Sequence, residues 1–206
     1  MLNYQPDPKR TALVVYDMIN DFLAPGAPLE SVRAREDLVP RLKPLIAACR
    51  RKKILIVYAC QNYHPQGVGD GFKPAHGGHG CLAGTAGVEV YHELAPQTGE
   101  VILNKRRFDA FRGTELELVL RQQQIDTLII VGTSTSIGTE TTARCAVTRD
   151  YRVIFPSDGT INRDLPDAGW GPVPLDQLLR VVLTELAQFC RICSIEQLIG
   201  EIESFS

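Results

Sequence analysis

The 206-residue sequence has almost no charge imbalance. Its 22 lysines and arginines stand against 24 aspartates and glutamates, for a formal net charge of −2. A chain so near neutrality has no general attraction for phosphate backbones or anionic lipid, so neither nucleic acid nor a membrane is an expected partner. No apolar run approaches the roughly 20 residues that cross a bilayer. The first ten residues, Met1 to Arg10, lack the charged-then-apolar order of a secretory signal, and the expected compartment is the cytoplasm. Internal repeats, linkers and low-complexity tracts are also missing, which leaves a single domain over 1–206 as the expected organisation. What is present is ordinary for a globular chain: 44% apolar and 22% charged residues, enough for one sizeable core.

Six cysteines (Cys49, Cys60, Cys81, Cys145, Cys190 and Cys193) do not argue for disulfides, because a cytosolic domain with a full core needs no staples. Cys190 and Cys193 have CxxC spacing, but no second pair completes a zinc site. In a strand, positions three apart face opposite sides of the sheet.

Short, continuously apolar runs recur at 11–16, 54–58, 100–103, 127–131 and 151–155, with a shorter one at 191–193. Apolarity without alternation suits strands buried on both faces. Helical spacing separates them, at 37–52, 115–123, 139–149 and 175–189, with a short patch near 88–94. Ser194 to Gln197 resembles a capping box opening a last helix. Strands alternating with helices predict an α/β fold, a parallel sheet with helices on both faces. Residues 62–84 and 157–174, which include the only tryptophan, Trp170, have no period and read as long loops.

Open parallel sheets bind ligands beyond the carboxyl ends of their strands. Four of these ends carry polar groups: Asp17; Gln61 to His64; Asn104 to Arg107; and the turn Thr133-Ser-Thr-Ser-Ile-Gly138. Together on one rim, a carboxylate beside a lysine can move protons, and backbone N–H groups at a helix start can face an oxyanion. Taken singly, each residue also has a plain structural reading, as a turn cap or a solvated charge.

Three segments carry a resemblance to a known family. They are Asp17-Met-Ile-Asn-Asp21-Phe22; Asn104-Lys105 through Phe111 with Gly113-Thr114; and Val131-Gly132 through Gly138 with Thr142-Ala143-Arg144. In this order and spacing, over about 11–200, the chain resembles the isochorismatase-like cysteine hydrolases. The resemblance implies a six-stranded parallel sheet in a three-layer, Rossmann-like α/β/α fold, usually assembled as a homodimer or homotetramer. It also implies hydrolysis of a small-molecule substrate. Asp17 matches the family's acid/base aspartate and Lys105 its lysine. The cis peptide would be Thr133–Ser134, and the N–H groups of Ser134 and residue 138 would form the oxyanion hole.

The family's nucleophilic cysteine falls at 138, where this chain has Gly138. Cys145, seven residues on, is expected to be a packed helix residue, and Ser136 and Thr139 do not occupy the nucleophile's position. Three explanations stay open. The enzyme works without a nucleophile, like isochorismatases proper, which protonate a vinyl ether and add water; Gln61 matches a glutamine of that branch. Or the cysteine of an amidase was replaced, a reading to which Lys105-Arg106-Arg107-Phe108 lends itself. Or the protein is a catalytically silent binder or scaffold on the same fold.

No cofactor is expected. Nicotinamidases of the superfamily hold a metal with an Asp-x-His pair, and here the stretch is Asn62-Tyr63-His64, without the aspartate. His76 and His79 lie in the same loop, and no metal is expected. Phe22, Tyr63 and Trp170 are candidates for pocket walls or for ordinary packing, and Arg106 and Arg107 for attracting a carboxylate.

Overall fold

A computed structural model describes residues 2–68 and 80–205. At its centre lies a sheet of β1 (Thr11–Tyr16), β2 (Leu55–Gln61), β3 (Val101–Lys105), β4 (Thr127–Thr133), β5 (Arg152–Pro156), β6 (Thr160–Ile161) and β7 (Arg191–Cys193). The order is β3-β2-β1-β4-β5-β7, with β6 pairing β4 off this path. All these pairings are parallel. Six strands match the expected runs. β6 is additional and falls inside the 157–174 segment, where two residues are too few to leave a pattern.

The helices are α1 (Asn20–Leu23), α2 (Val39–Arg51), α3 (Leu116–Gln122), α4 (Glu140–Val147), α5 (Leu175–Leu186) and α6 (Ile195–Ser204). Alternate residues of β1 feed two separate cores. Leu13 and Val15 pack with Leu42 and Leu45 of α2 and Leu198 and Ile202 of α6. Ala12, Val14 and Tyr16 pack with Leu116 and Leu120 of α3, Ala143 and Ala146 of α4, and Leu186 of α5. That is the three-layer α/β/α arrangement, and it explains why the strands are apolar throughout rather than alternating.

Local features follow from the residues. The helix expected at 37–52 starts as a π-helical turn at Ala34–Leu38 and becomes regular at α2. Ser194 caps α6, its hydroxyl accepting from the Gln197 N–H at 3.1 Å. The patch near 88–94 forms two 3₁₀ turns, Ala86–Val88 and His92–Leu94. Cys190 and Cys193 enter opposite cores, as their spacing across a strand requires. No helix of the described residues is long and apolar enough to cross a membrane.

From β1 the chain builds outward through β2 and β3, then returns to place β4 on the other side of β1. Strand order therefore reverses between β1 and β4. The crevice at their carboxyl ends is where such sheets bind ligands.

Candidate active site

Asp17 follows β1 directly and turns with φ of 51°, a left-handed conformation that aspartate tolerates better than most residues. Its Oδ1 accepts from the Gln61 backbone N–H at 2.7 Å, and its Oδ2 accepts from Lys105 Nζ at 2.9 Å. Gln61 and Lys105 end adjacent strands and are paired in register. Lys105 Nζ also donates to Gln61 Oε1 at 2.7 Å, and Gln61 Nε2 donates to the Lys105 carbonyl at 3.2 Å. The ammonium lies 4.1 Å from the centroid of the Tyr16 ring, a cation–π contact. Parallel register thus gathers groups 44 and 88 positions apart.

All three side chains are buried, Lys105 completely. Burial pushes the Asp17 carboxyl up from its ordinary value, against the opposing charge and hydrogen bond of Lys105. Burial pulls the Lys105 ammonium down, against Asp17. Burial pushes each group toward its neutral form, while the partner's opposite charge holds each toward its charged form.

A cavity of about 570 Å³ opens above this cluster. Asp17, Gln61, Phe22, Tyr63, Ser134 and Gly138 line it, together with Thr133. Lys105 is not part of the wall; it stands behind Asp17, Gln61 and Tyr16, which separate it from the cavity. The Thr133–Ser134 peptide is cis. Gly138 sits in a π-helical turn, Thr135–Thr139, that runs into α4.

Several expected residues lie elsewhere. Trp170 is 92% exposed and outside the cavity. Arg106 and Arg107 do not line it either; they donate to the carbonyls of Val68 and Arg106, respectively, both at 3.0 Å. Cys145 is half-buried in α4, away from the cavity. Ser136 accepts from Asn162 Nδ2, and the Thr139 hydroxyl donates to the carbonyls of Ser134 and Thr135, so both hydroxyls are engaged. His64 Nδ1 accepts from the Gln66 N–H. His76 and His79 lie outside the described residues. Among the described residues no three His, Cys, Asp or Glu side chains group as metal ligands.

Of the cavity-wall residues that the sequence does not mark, four bear on the chemistry. Arg33 and Arg163 are exposed at the cavity edge and have no side-chain partner among the described residues. Arg33 adjoins no strand end or motif, and Arg163 follows β6, a strand too short to leave a pattern, so no sequence signal marks them. Cys81 also lines the cavity. Its N–H donates to Asp21 Oδ2 at 2.5 Å, which ties the 80–88 segment to the Asp17–Phe22 motif. The Cys81 thiol is pushed well up by burial and by the Asp17 and Asp21 carboxylates, so it is protonated at neutral pH. The fourth is Tyr16, whose ring packs directly on Gly138. A Cβ at position 138 would fall within the van der Waals envelope of Tyr16 Cε1, Cζ and Oη.

Comparison with known proteins identifies the family and the fold. Residues 11–171 match the Isochorismatase domain family. The chain is 32% identical over 157 residues to YwoC, an uncharacterized isochorismatase family protein of Bacillus subtilis (strain 168), covering 74% of this chain and 78% of that one. It is 28% identical over 163 residues to an N-carbamoylsarcosine amidase of an Arthrobacter species, covering 76% of this chain and 61% of that one. The crystal structure of a cysteine hydrolase from Pseudomonas syringae pv. phaseolicola 1448A superposes with a TM-score of 0.93 and 32% identity, covering 100% of this chain and 98% of the other. With motif order, sheet topology and family match in agreement, this chain belongs to the isochorismatase family of hydrolases.

Proposed function

We propose that this protein hydrolyses a small carboxylate-bearing molecule by proton transfer at Asp17, with no covalent enzyme intermediate. The observation that carries this reading is the buried Asp17–Lys105–Gln61 cluster, open to the cavity at Asp17, beneath a turn whose residue 138 has no side chain.

The favoured reaction is hydrolysis of a vinyl ether, the chemistry implied by the resemblance to isochorismatases proper. The Asp17 carboxylic acid gives its proton to the terminal alkene carbon. The oxocarbenium ion so formed is captured by water, which returns a proton to the Asp17 carboxylate. The resulting hemiketal then splits into a carbonyl compound and an alcohol. A general acid for this step must hold its proton near neutral pH, and burial of Asp17 favours that. The Lys105 ammonium stabilises the carboxylate left behind. Arg33 and Arg163 offer unpaired guanidinium groups to a substrate carboxylate.

A second reading is hydrolysis of a small amide C–N bond, favoured by the similarity to N-carbamoylsarcosine amidase. Here ionised Asp17 is the general base for water, and the backbone N–H groups of Ser134 and Gly138 face the oxyanion.

The test offers the protein an enol-ether carboxylate and an N-carbamoyl amino acid separately, following 2-oxo acid and ammonia. Release of 2-oxo acid, lost in Asp17→Asn, is the expected result. Ammonia instead selects the amide reading. Tight binding of either compound with no turnover, unchanged in Asp17→Asn, overturns both in favour of a silent binding protein.

A further inference from the structure

Tyr16 ends β1 on the face that packs toward α3 and α4, following Ala12 and Val14 at alternate positions. Its ring is buried beneath the 133–139 turn. The hydroxyl donates to the Phe108 carbonyl at 2.5 Å. The Thr142 hydroxyl converges on the same carbonyl at 3.3 Å. Gly132, at φ of 123°, lets the β4 backbone approach the Tyr16 backbone closely, and any Cβ there would strike it. Tyr16 is therefore held at both ends, by its strand and by its hydroxyl.

The ring has two neighbours of consequence. The Lys105 ammonium lies 4.1 Å from its centroid, and a Cβ on Gly138 would overlap Cε1, Cζ and Oη. The volume that a side chain at 138 would take is already filled by the phenol whose ring the ammonium contacts. We propose that Tyr16 is the positioning residue of this site: its ring takes the place of a side chain at 138, makes glycine obligatory there, and seats the Lys105 ammonium behind Asp17. Tyr16 and Gly138 form a matched pair, and each constrains the other. The consequence is that a thiol cannot be installed at 138 by one substitution, because the space it would take is occupied.

The inference rests on the reading of Asp17 and Lys105 as the reacting pair only for its kinetic consequence. Its main test uses no substrate. Three variants are made: Gly138→Cys, Tyr16→Leu and the double variant. Each is treated with iodoacetamide across pH, and the peptide carrying residue 138 is read by mass spectrometry. Of the native cysteines, five are buried and Cys145 is half-buried, so the background is low and resolved by peptide.

In the double variant, the thiol at 138 is expected to be alkylated at least tenfold faster than in Gly138→Cys. Its pH midpoint should fall below that of an ordinary thiol, about 8.5, because the Lys105 ammonium stabilises the thiolate. A side chain that merely packs would not move that midpoint. Equal alkylation rates and equal midpoints in the two proteins would overturn the proposal.

If the double variant does not fold, Gly138→Ala gives the same answer through thermal melting. It should lower the melting temperature in the wild-type background and leave it unchanged or raise it in Tyr16→Leu. A loss of the same size in both backgrounds overturns the pairing.

On turnover, Tyr16→Phe keeps the ring and should retain the wild-type pH profile. Tyr16→Leu should lower kcat with KM little changed. If these kinetic outcomes fail while the alkylation result holds, the reaction assigned to Asp17 is wrong and the pairing stands.

Discussion

Asp17 and Lys105 form a 2.9 Å ion pair in which only the acid faces the cavity. The lysine is enclosed by the Asp17 carboxylate, the Gln61 amide and the Tyr16 ring. This separates two tasks. Asp17 meets the substrate, and Lys105 sets how readily Asp17 parts with its proton.

Replacing Asp17 by asparagine should therefore remove turnover while sparing affinity. The amide keeps an acceptor for the Gln61 N–H but cannot move a proton, so kcat should fall by about 10²–10⁴, the usual contribution of a positioned general acid or base. Ligand binding, read by calorimetry, should change little. Retention of more than a tenth of wild-type kcat would show that the chemistry lies elsewhere.

Lys105→Met isolates the electrostatics. With the ammonium gone, only the Gln61 N–H hydrogen bond opposes the effect of burial on the Asp17 carboxyl, and the carboxyl rises further above its ordinary value. In the acid-catalysed reaction, the pH above which the rate declines should move up relative to wild type. Stability follows with a defined sign. A carboxyl whose folded value lies above its unfolded value, near 3.9, stabilises the fold below the unfolded value. That contribution is lost as pH rises through the folded value. Lys105→Met should therefore melt progressively lower as pH rises across this window, whereas Lys105→Met combined with Asp17→Asn should not show that slope. The loss should stay below the roughly 3–5 kcal/mol of a broken buried pair, because Asp17 can neutralise itself by binding a proton.

The sheet and the acid–lysine rim were legible because they rest on local chemistry. Strands buried on both faces are apolar throughout, so a polar residue at or just past a strand's end stands out. Asp17, Gln61 and Lys105 are strand-end residues and could be read as such. Tyr16 could not, since it looks like the last apolar residue of β1 until the fold sets it beneath Gly138. Arg163 sits in an aperiodic segment, and Arg33 lies in the helical turn before Ala34–Leu38, ahead of the span 37–52 that the spacing predicts, so neither alternation nor helical spacing says which way the two side chains point. Arg106 and Arg107 misled for the complementary reason. They adjoin a strand end, yet their guanidinium groups turn to backbone carbonyls.

Cys81 supplies a test of the thiol-free reading. It is the one thiol in the cavity wall among the described residues, and it is buried beside two carboxylates that disfavour its ionisation. Cys81→Ser should keep kcat within about threefold of wild type, since a protonated, enclosed thiol is a poor nucleophile. Iodoacetamide at neutral pH should leave activity intact. Inactivation in step with labelling of Cys81 would return the protein to covalent catalysis by a thiol that has changed position.

Arg33 and Arg163 bear on the substrate rather than the reaction. Both are exposed at the cavity edge, so water screens them and each contributes modestly. A guanidinium that holds a substrate carboxylate equally in the ground and transition states lowers KM and leaves kcat unchanged. Arg163→Ala and Arg33→Ala should thus each raise KM by up to about tenfold, equivalent to about 1.4 kcal/mol, with kcat preserved. The effect should shrink as salt is raised, because screening weakens the wild-type contact more than the variant's. An amide or ester of the same substrate, with its carboxylate masked, should bind wild type and both variants alike. If masking the carboxylate leaves wild-type KM unchanged, the substrate meets this cavity through another group and the two arginines are solvated surface charges.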